Sequence, residues 1–187
     1  LILLQNMQNE QQYPNLRTAN TLIRGTLITG QVKIAIDIFN KMRTEWKNKG
    51  YPIYGDDSTY DYILGVLSQN FDLSRLLKVY ATIKRKDANP QYSLHISRTA
   101  ALLGKNKIVK TYMGKFDEAC KNYQSNFIDY TATTGGRRGR KLGEIGDARY
   151  NSRQRFVNHQ IEDMKIQMKA ISNYINVNKT NKIKLDH

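Results

Sequence analysis

One apolar pattern, which runs from Leu16 to Met42, constrains the fold more than any other part of the chain. Apolar residues recur there at helical spacing, stop at Gly30 and then resume, which predicts two short helices joined by a turn. The apolar positions are Ala19, Leu22, Ile23, Leu27 and Ile28 before the turn, and Val32, Ile34, Ala35, Ile38, Phe39 and Met42 after it. A helical pair with one apolar stripe per helix cannot bury both stripes alone, so it needs neighbours of its own kind.

The same pattern recurs without gaps at an offset of 41 residues. Corresponding positions are Thr18 and Thr59, Asn20 and Asp61, Gly30 and Phe71, and Phe39 and Tyr80. A third and weaker copy begins at Tyr92 and turns at Gly104. The first copy is longer because it contains a polar run from Glu45 to Gly55, which predicts an inserted loop.

The opening Thr18-Ala19-Asn20-Thr21-Leu22-Ile23, the turn at Gly30 and the closing Ala35, Phe39 and Met42 together resemble the pentatricopeptide repeat. The resemblance covers residues 1 to about 125 and implies an all-α fold, an α-solenoid of helix-turn-helix repeats that binds RNA. Another kind of helical repeat, such as the peptide-binding tetratricopeptide array, is the alternative. The predicted divisions are a tail of a preceding repeat in a longer protein (1–15), repeats at 16–56 and 57–91, a degenerate repeat (92–127), a basic Gly/Arg-rich extension (128–152), an amphipathic helix (153–176) and a polar tail (177–187).

In the pentatricopeptide family each repeat contacts one RNA base through two side chains, one early in its first helix and one at its end. The resemblance implies Asn20 with Asp56 in the first unit and Asp61 with Gln91 in the second. The family associates the first combination with pyrimidines, uracil in particular, whereas a capping role is the alternative for Asn20. The second pair departs from the usual combinations, and Ile96 in the third unit cannot hydrogen-bond a base. We therefore expect fixed docking rather than readout of a long sequence.

The charge of the chain indicates an anionic partner. Thirty Lys and Arg residues against sixteen Asp and Glu residues give a net charge of +14. A chain of this charge can bind nucleic acid, an anionic membrane surface or an acidic protein. The sequence has no apolar run long enough for a transmembrane helix. A membrane-surface helix would carry its aromatic residues on an apolar face, whereas Trp46, the single tryptophan, falls in the predicted loop.

Between Tyr130 and Arg155 the sequence is rich in both glycine and arginine. Its glycines disfavour a helix, and its cations outnumber its carboxylates, which predicts a flexible segment that orders along a phosphate backbone. A solvated linker between folded parts is the alternative. The candidates for phosphate contact are Arg137, Arg138, Arg140, Lys141, Arg149 and Arg153.

Beyond this segment, apolar residues step by four and three positions, as in a coiled-coil seam. The seam consists of Val157, Ile161, Met164, Met168, Ile171 and Ile175. An isolated helix of this length is marginal in water, so the seam needs a partner. It can dock in a groove of the repeats, pair with a helix of another subunit or self-associate, and protein subunits of a ribonucleoprotein are the expected partners.

No constellation of catalytic or metal-binding residues stands out. Cys120 is the single cysteine, and the histidines are scattered. Asp56 and Asp57 are adjacent but have no third carboxylate at ligand spacing. We expect no enzyme activity within these residues, no cofactor, no metal and no small-molecule substrate.

These observations lead to one expected function and two alternatives. We expect a non-catalytic RNA-binding protein of organellar gene expression, a structural component of the mitochondrial ribosome or a similar ribonucleoprotein. The alternatives are a helical-repeat scaffold for an acidic protein partner and a transcript-specific factor for RNA maturation or translation. The family resemblance implies the mitochondrial matrix, ahead of the plastid.

Overall fold

The computed structural model describes residues 2–10, 12, 14–48, 53–87, 89–135 and 144–185, and the regular structure of these residues is α-helical throughout. This confirms the all-α prediction. The helices are α1 (Ile2–Asn9), α2 (Leu16–Thr29), α3 (Val32–Arg43), α4 (Glu45–Asn48), α5 (Asp57–Gln69), α6 (Leu73–Thr82), α7 (Pro90–Leu102), α8 (Asn106–Gly135) and α9 (Glu144–Leu185). The chain forms two compact units, Leu1–Ile83 and Lys84–His187.

In the N-terminal unit, α2 packs against α3, α5 packs against α6, and α2 and α3 both contact α5. The central residues of the apolar pattern are buried here. They include Ala19, Ile23, Ala35, Ile38, Phe39, Met42, Leu64, Leu76 and Tyr80. At the edge of the predicted stripe, Leu22, Leu27, Val32 and Ile34 are half-buried and Ile28 is 79% exposed, so each helix buries a narrower stripe than its sequence spacing predicted.

The helical pairs α2/α3, α5/α6 and α7/α8 share the same turn. Gly30, Phe71 and Gly104 follow the first helix of each pair in the left-handed conformation, with φ values of 68°, 55° and 68°. The next residue then donates its N–H to a carbonyl five positions earlier, at 3.1 Å for Gln31 to Thr26, 3.0 Å for Asp72 to Leu67 and 2.8 Å for Lys105 to Ala100. This is the hydrogen bond of a Schellman helix end. The alignment of Phe71 with Gly30 in the sequence therefore has a counterpart in backbone geometry.

Replacing Phe71 with glycine is expected to give a more stable N-terminal unit than replacing it with alanine. The left-handed conformation costs a non-glycine residue about 1–2 kcal/mol, and the greater freedom of glycine in the unfolded chain offsets about 0.4–1 kcal/mol of that gain. Phe71 is 52% exposed, so both changes remove the packing of a half-buried ring, and the comparison of glycine with alanine isolates the backbone effect. Urea unfolding should show a higher unfolding free energy for Phe71→Gly than for Phe71→Ala, and a lower one for Gly30→Ala than for the parent. A Phe71→Gly protein no more stable than Phe71→Ala would contradict this account.

The run from Glu45 to Gly55 differs from the loop predicted there. Its first four residues form α4, which packs against α3 and leaves Trp46 1% exposed. An indole removes a large apolar area from water when it is buried, and this favours folding the start of the run back onto α3. Asp56, at the other end of the insertion, caps α5.

In the C-terminal unit, α7 and α8 pack together and α9 packs on both. The seam residues Val157, Ile161, Met164, Met168 and Ile175 are buried, and Ile171 is half-buried. All of them except Ile175 share a core with Leu94 of α7 and with Phe116 and Cys120 of α8. Arg98 of α7 also donates a hydrogen bond to Gln167 of α9. Of the three alternatives for the seam, the structure has docking within the chain, and a protein subunit bound through α9 stays a prediction.

Three predicted boundaries also need correction. The basic extension at 128–152 is helical up to Gly135 and again from Glu144, and the polar tail continues α9 to Leu185. Glycine costs a helix only about 1 kcal/mol per residue, and a helix that packing has already nucleated extends at little further cost. The helix predicted to start at Tyr92 begins at Pro90, because Asn89 caps α7 by accepting a hydrogen bond from the Gln91 amide at 3.0 Å.

Candidate nucleic-acid interface

Helix α2 turns one polar face away from its buried stripe. Asn15 starts the helix by accepting a hydrogen bond from the Thr18 amide at 2.9 Å. Asn15, not Asn20, is therefore the residue that caps this helix. The outward positions Arg17, Asn20, Thr21 and Arg24 follow at helical spacing and line one side of a groove.

Asn20 is held in place by two residues at the start of α5. Its side-chain nitrogen Nδ2 donates to Oδ1 of Asp56 at 3.0 Å. The Thr59 hydroxyl Oγ1 lies 2.6 Å from Oδ1 of Asn20, to which it donates, and 2.8 Å from Oδ1 of Asp56. The structure thus brings together the first pair of residues that the sequence predicted for base contact.

This network leaves part of the Asn20 amide available. A side-chain amide has two N–H donors and two acceptor lone pairs, and Asp56 and Thr59 use one of each. One donor and one acceptor remain on a half-buried side chain that faces the groove. The two oxygens that hold Asn20 lie 2.8 Å apart, so they occupy the amide edge on which donor and acceptor are adjacent. The donor and the acceptor that remain point to different sides of the amide, and each can make a single hydrogen bond to a base.

Asp56 has two roles at once, because it caps α5 and orients Asn20. Its side chain accepts the Thr59 amide at 2.9 Å, and its own amide donates to the Thr59 hydroxyl at 3.1 Å, which completes a capping box. Partial burial by itself would raise the pKa of the carboxyl, but the hydrogen bonds from Thr59 and Asn20 lower it below the ordinary value of 3.8. The group is therefore an ionised acceptor at neutral pH.

The Asp56 network is expected to make stability depend on pH. Because the pKa of Asp56 is lower in the folded protein than in the unfolded chain, its stabilisation is present above pH 3.8 and is lost as the pH falls through the folded value. The difference in unfolding free energy between the parent and Asp56→Asn should therefore shrink between about pH 6 and about pH 3 in urea titrations. Asp37→Asn on the exposed side of α3 serves as the control. A difference that stays constant over this range would contradict the assignment.

The groove around Asn20 has a volume of about 450 Å³. Its lining residues are Leu16, Arg17, Asn20, Thr21, Arg24, Asp56 and Tyr62. Arg17 and Arg24 are exposed and lie roughly 10 Å apart along the helix axis, one turn or so to either side of Asn20. Sequence analysis assigned no role to these two arginines, although their spacing of three and four from Asn20 is the signal that would have found them.

The other predicted base contacts are placed differently. Asp61 lies half-buried on α5 of the N-terminal unit, and Gln91 lies half-buried in the first turn of α7 of the C-terminal unit. Their pairing stays a prediction. Ile96 is fully buried in α7, so it serves the core.

The predicted phosphate contacts fall mostly outside the described residues. Arg137, Arg138, Arg140 and Lys141 lie between the end of α8 and the start of α9. Arg149 and Arg153 both belong to α9. Arg149 is therefore helical rather than part of a flexible extension as predicted, whereas Arg153 lies in the range predicted to be helical. All six stay predictions as contacts.

Chemistry other than binding finds little support in the described part of the chain. Burial raises the pKa of the Cys120 thiol to about 11, which keeps it protonated and unreactive at neutral pH. Within the described ranges, His, Cys, Asp and Glu do not gather into a group of three or more that could hold a metal. Nor is any helix in those ranges both long and apolar enough to cross a bilayer. No family model, no curated protein and no solved structure matches the chain, so its function has to be inferred from its own residues.

Proposed function

We propose that this protein binds RNA without catalysis and accepts a pyrimidine base, uracil first, in the groove between α2 and the start of α5. The observation that carries the proposal is the Asn20 amide, which lines the groove and which Asp56 and Thr59 hold along one edge, so that its second N–H remains as a donor. The net charge of +14 and the resemblance to pentatricopeptide repeats support the same partner. The helical pairs then act as an α-solenoid of pentatricopeptide-like repeats.

Each group in the groove has a distinct part in this binding. A carbonyl oxygen of uracil accepts the remaining N–H of Asn20. Fixing the amide before binding reduces the entropy lost when the base enters. Arg17 and Arg24 bind the phosphates on either side, and their charge acts on every sequence alike. Tyr62 lines the same groove and offers a ring to the base.

Fluorescence anisotropy with single-stranded oligonucleotides of uridine, cytidine, adenosine or guanosine tests this assignment. Asn20→Ala is expected to weaken uridine binding by up to about tenfold, as for one lost hydrogen bond, with a smaller loss for adenosine, which has no carbonyl. Arg17→Gln and Arg24→Gln should weaken all four oligomers alike and lower the salt slope by about 1 each. Lys33→Gln, which removes a charge from the exposed side of α3, is the control. Equal losses for all four oligomers on Asn20→Ala would remove base recognition from the proposal.

We further propose that the RNA belongs to a mitochondrial ribonucleoprotein, such as the ribosome, in which the protein is a structural component. Sedimentation of the native protein from an organelle lysate, at low and high salt and with or without RNase, separates the alternatives. A component should move with a ribosomal subunit and stay with it in high salt. A small particle that RNase disperses would indicate a transcript-specific factor instead. A particle indifferent to RNase would contradict RNA binding and leave the protein scaffold.

A further inference from the structure

A second concave site in the N-terminal unit lies away from the Asn20 groove. Helices α3 and α6 each pack against α5, and a groove of about 250 Å³ lies among the three helices. Its lining residues are Ile36, Phe39, Asn40, Arg43, Ile63, Leu67, Arg75, Lys78, Val79 and Thr82. None of them belongs to the Asn20 groove, so the two sites can be altered separately.

The inner surface of this second groove is apolar. Ile63 and Leu67 of α5 are fully buried at its floor, and Phe39 of α3 is 3% exposed. Ile36 and Val79 are half-buried and form the sides. A group that enters must therefore be apolar itself, because the floor offers it no hydrogen-bonding side chain.

The rim of the groove is cationic. Arg43, Arg75 and Lys78 are exposed, and they are the charged side chains among the described lining residues. The Arg43 guanidinium lies 5.6 Å from the centroid of the Phe39 ring. Asp72, one turn before Arg75, balances part of that charge at 3.3 Å. The remaining positive charge favours a ligand that carries an anionic group next to the apolar group that enters the groove.

The size and surface of the groove select among anionic partners. Pockets that enclose a small-molecule ligand usually measure about 300–1,000 Å³, so a groove of about 250 Å³ suits one or two inserted side chains rather than a whole ligand. RNA bases stack on exposed rings and pair through polar edges. Phe39, the aromatic residue of this groove, is buried with Arg43 over its ring. An aliphatic side chain flanked by carboxylates fits better than a base.

We propose that the groove formed by α3, α5 and α6 docks an acidic amphipathic segment of a partner protein. The segment inserts aliphatic side chains against the half-buried Ile36 and Val79, and its carboxylates pair with Arg43, Arg75 and Lys78. Binding of an amphipathic helix in an apolar groove is a common mode of peptide recognition, and the charged rim sets the orientation and the sign of the partner. This gives the protein a protein-binding face in addition to the proposed RNA-binding one.

Synthetic peptides of about 18 residues, or five helical turns, provide the probe. One peptide carries leucine at helical spacing on a glutamate background, a second replaces glutamate with lysine, and a third replaces leucine with serine. Fluorescence anisotropy should detect binding of the Leu/Glu peptide alone. The double variant Arg43→Glu/Lys78→Glu should weaken it by about tenfold, since two attractive pairs become repulsive. Both positions are exposed, and circular dichroism checks that the variant is folded.

The matched control is Lys41→Glu/Lys110→Glu, which changes the net charge equally at positions outside the groove. A change of less than about twofold in the peptide affinity of this control supports pairing at the groove. Equal losses of affinity in the two double variants would show that the peptide responds only to the net charge of the protein. Binding of the Ser/Glu peptide as tight as that of the Leu/Glu peptide would overturn the apolar docking. The last measurement is the binding of a uridine oligomer to Arg43→Glu/Lys78→Glu. If this variant loses more uridine affinity than the control variant does, the groove binds RNA and the proposal is overturned. Asn20→Ala should leave peptide binding unchanged, so the two proposals fail independently.

Discussion

Replacement of Ile161 with alanine is expected to destabilise the C-terminal unit by about 2–5 kcal/mol, the usual range for truncating a fully buried Ile. Ile161 is 1% exposed and belongs to the core in which α9 meets Phe116 and Leu94. The lost methyl groups leave a cavity among helices that cannot collapse fully onto it. Urea unfolding followed by helical circular dichroism measures the effect, and amide hydrogen exchange should show that protection falls first in α9.

The matched control lies on the same helix. Ile166 is 66% exposed, so Ile166→Ala should change the unfolding free energy by no more than about 0.5 kcal/mol. Both variants remove the same atoms from α9, and only the docked face distinguishes them. If the two changes cost the same, the seam does not dock on α7 and α8 as described.

Replacement of Trp46 with alanine is expected to cost the N-terminal unit about 3–5 kcal/mol. The side chain is 1% exposed, although it belongs to a run that reads as a polar loop. Truncation therefore removes a large apolar side chain from the interior of the unit. Thermal and urea unfolding, followed by circular dichroism because the fluorophore is removed, report the loss.

Tyr54 is the control for Trp46. It is an aromatic residue of the same insertion but is 75% exposed. Tyr54→Ala should therefore change the unfolding free energy by less than about 0.5 kcal/mol. A Trp46→Ala protein as stable as Tyr54→Ala would show that α4 contributes nothing to the unit.

The helical pairs were predictable because the burial of one helix face leaves a local period in the sequence. Ala35, Phe39 and Met42 show that period, and they are buried as expected. The turn at Phe71 was predictable only by alignment with Gly30, since phenylalanine itself gives no turn signal. In the candidate site, the pairing of Asn20 with Asp56 followed from the family resemblance, and the structure brings the two together.

What sequence reasoning missed depends on contacts between distant residues. The burial of Trp46 needs α3 beside it, and the partner of the α9 seam was one of three alternatives until its core with α7 and α8 was located. The helical conformation of α9 at Gly146 also contradicts the low helix propensity of glycine, because packing elsewhere on α9 outweighs the cost of one glycine. Arg17 and Arg24 were missed for another reason, since a solvated helix face has the same appearance in sequence as a binding one.

The docking of α9 determines what covers the apolar surface of α7 and α8. Helical-pair arrays extend because each pair leaves an uncovered apolar surface on which the next pair packs. On α7 and α8 a single helix takes that surface, and α9 turns Glu162, Asp163, Lys165 and Lys169 to the solvent. The α7/α8 pair therefore shares this apolar surface with one long helix of the same chain rather than with a second helical pair.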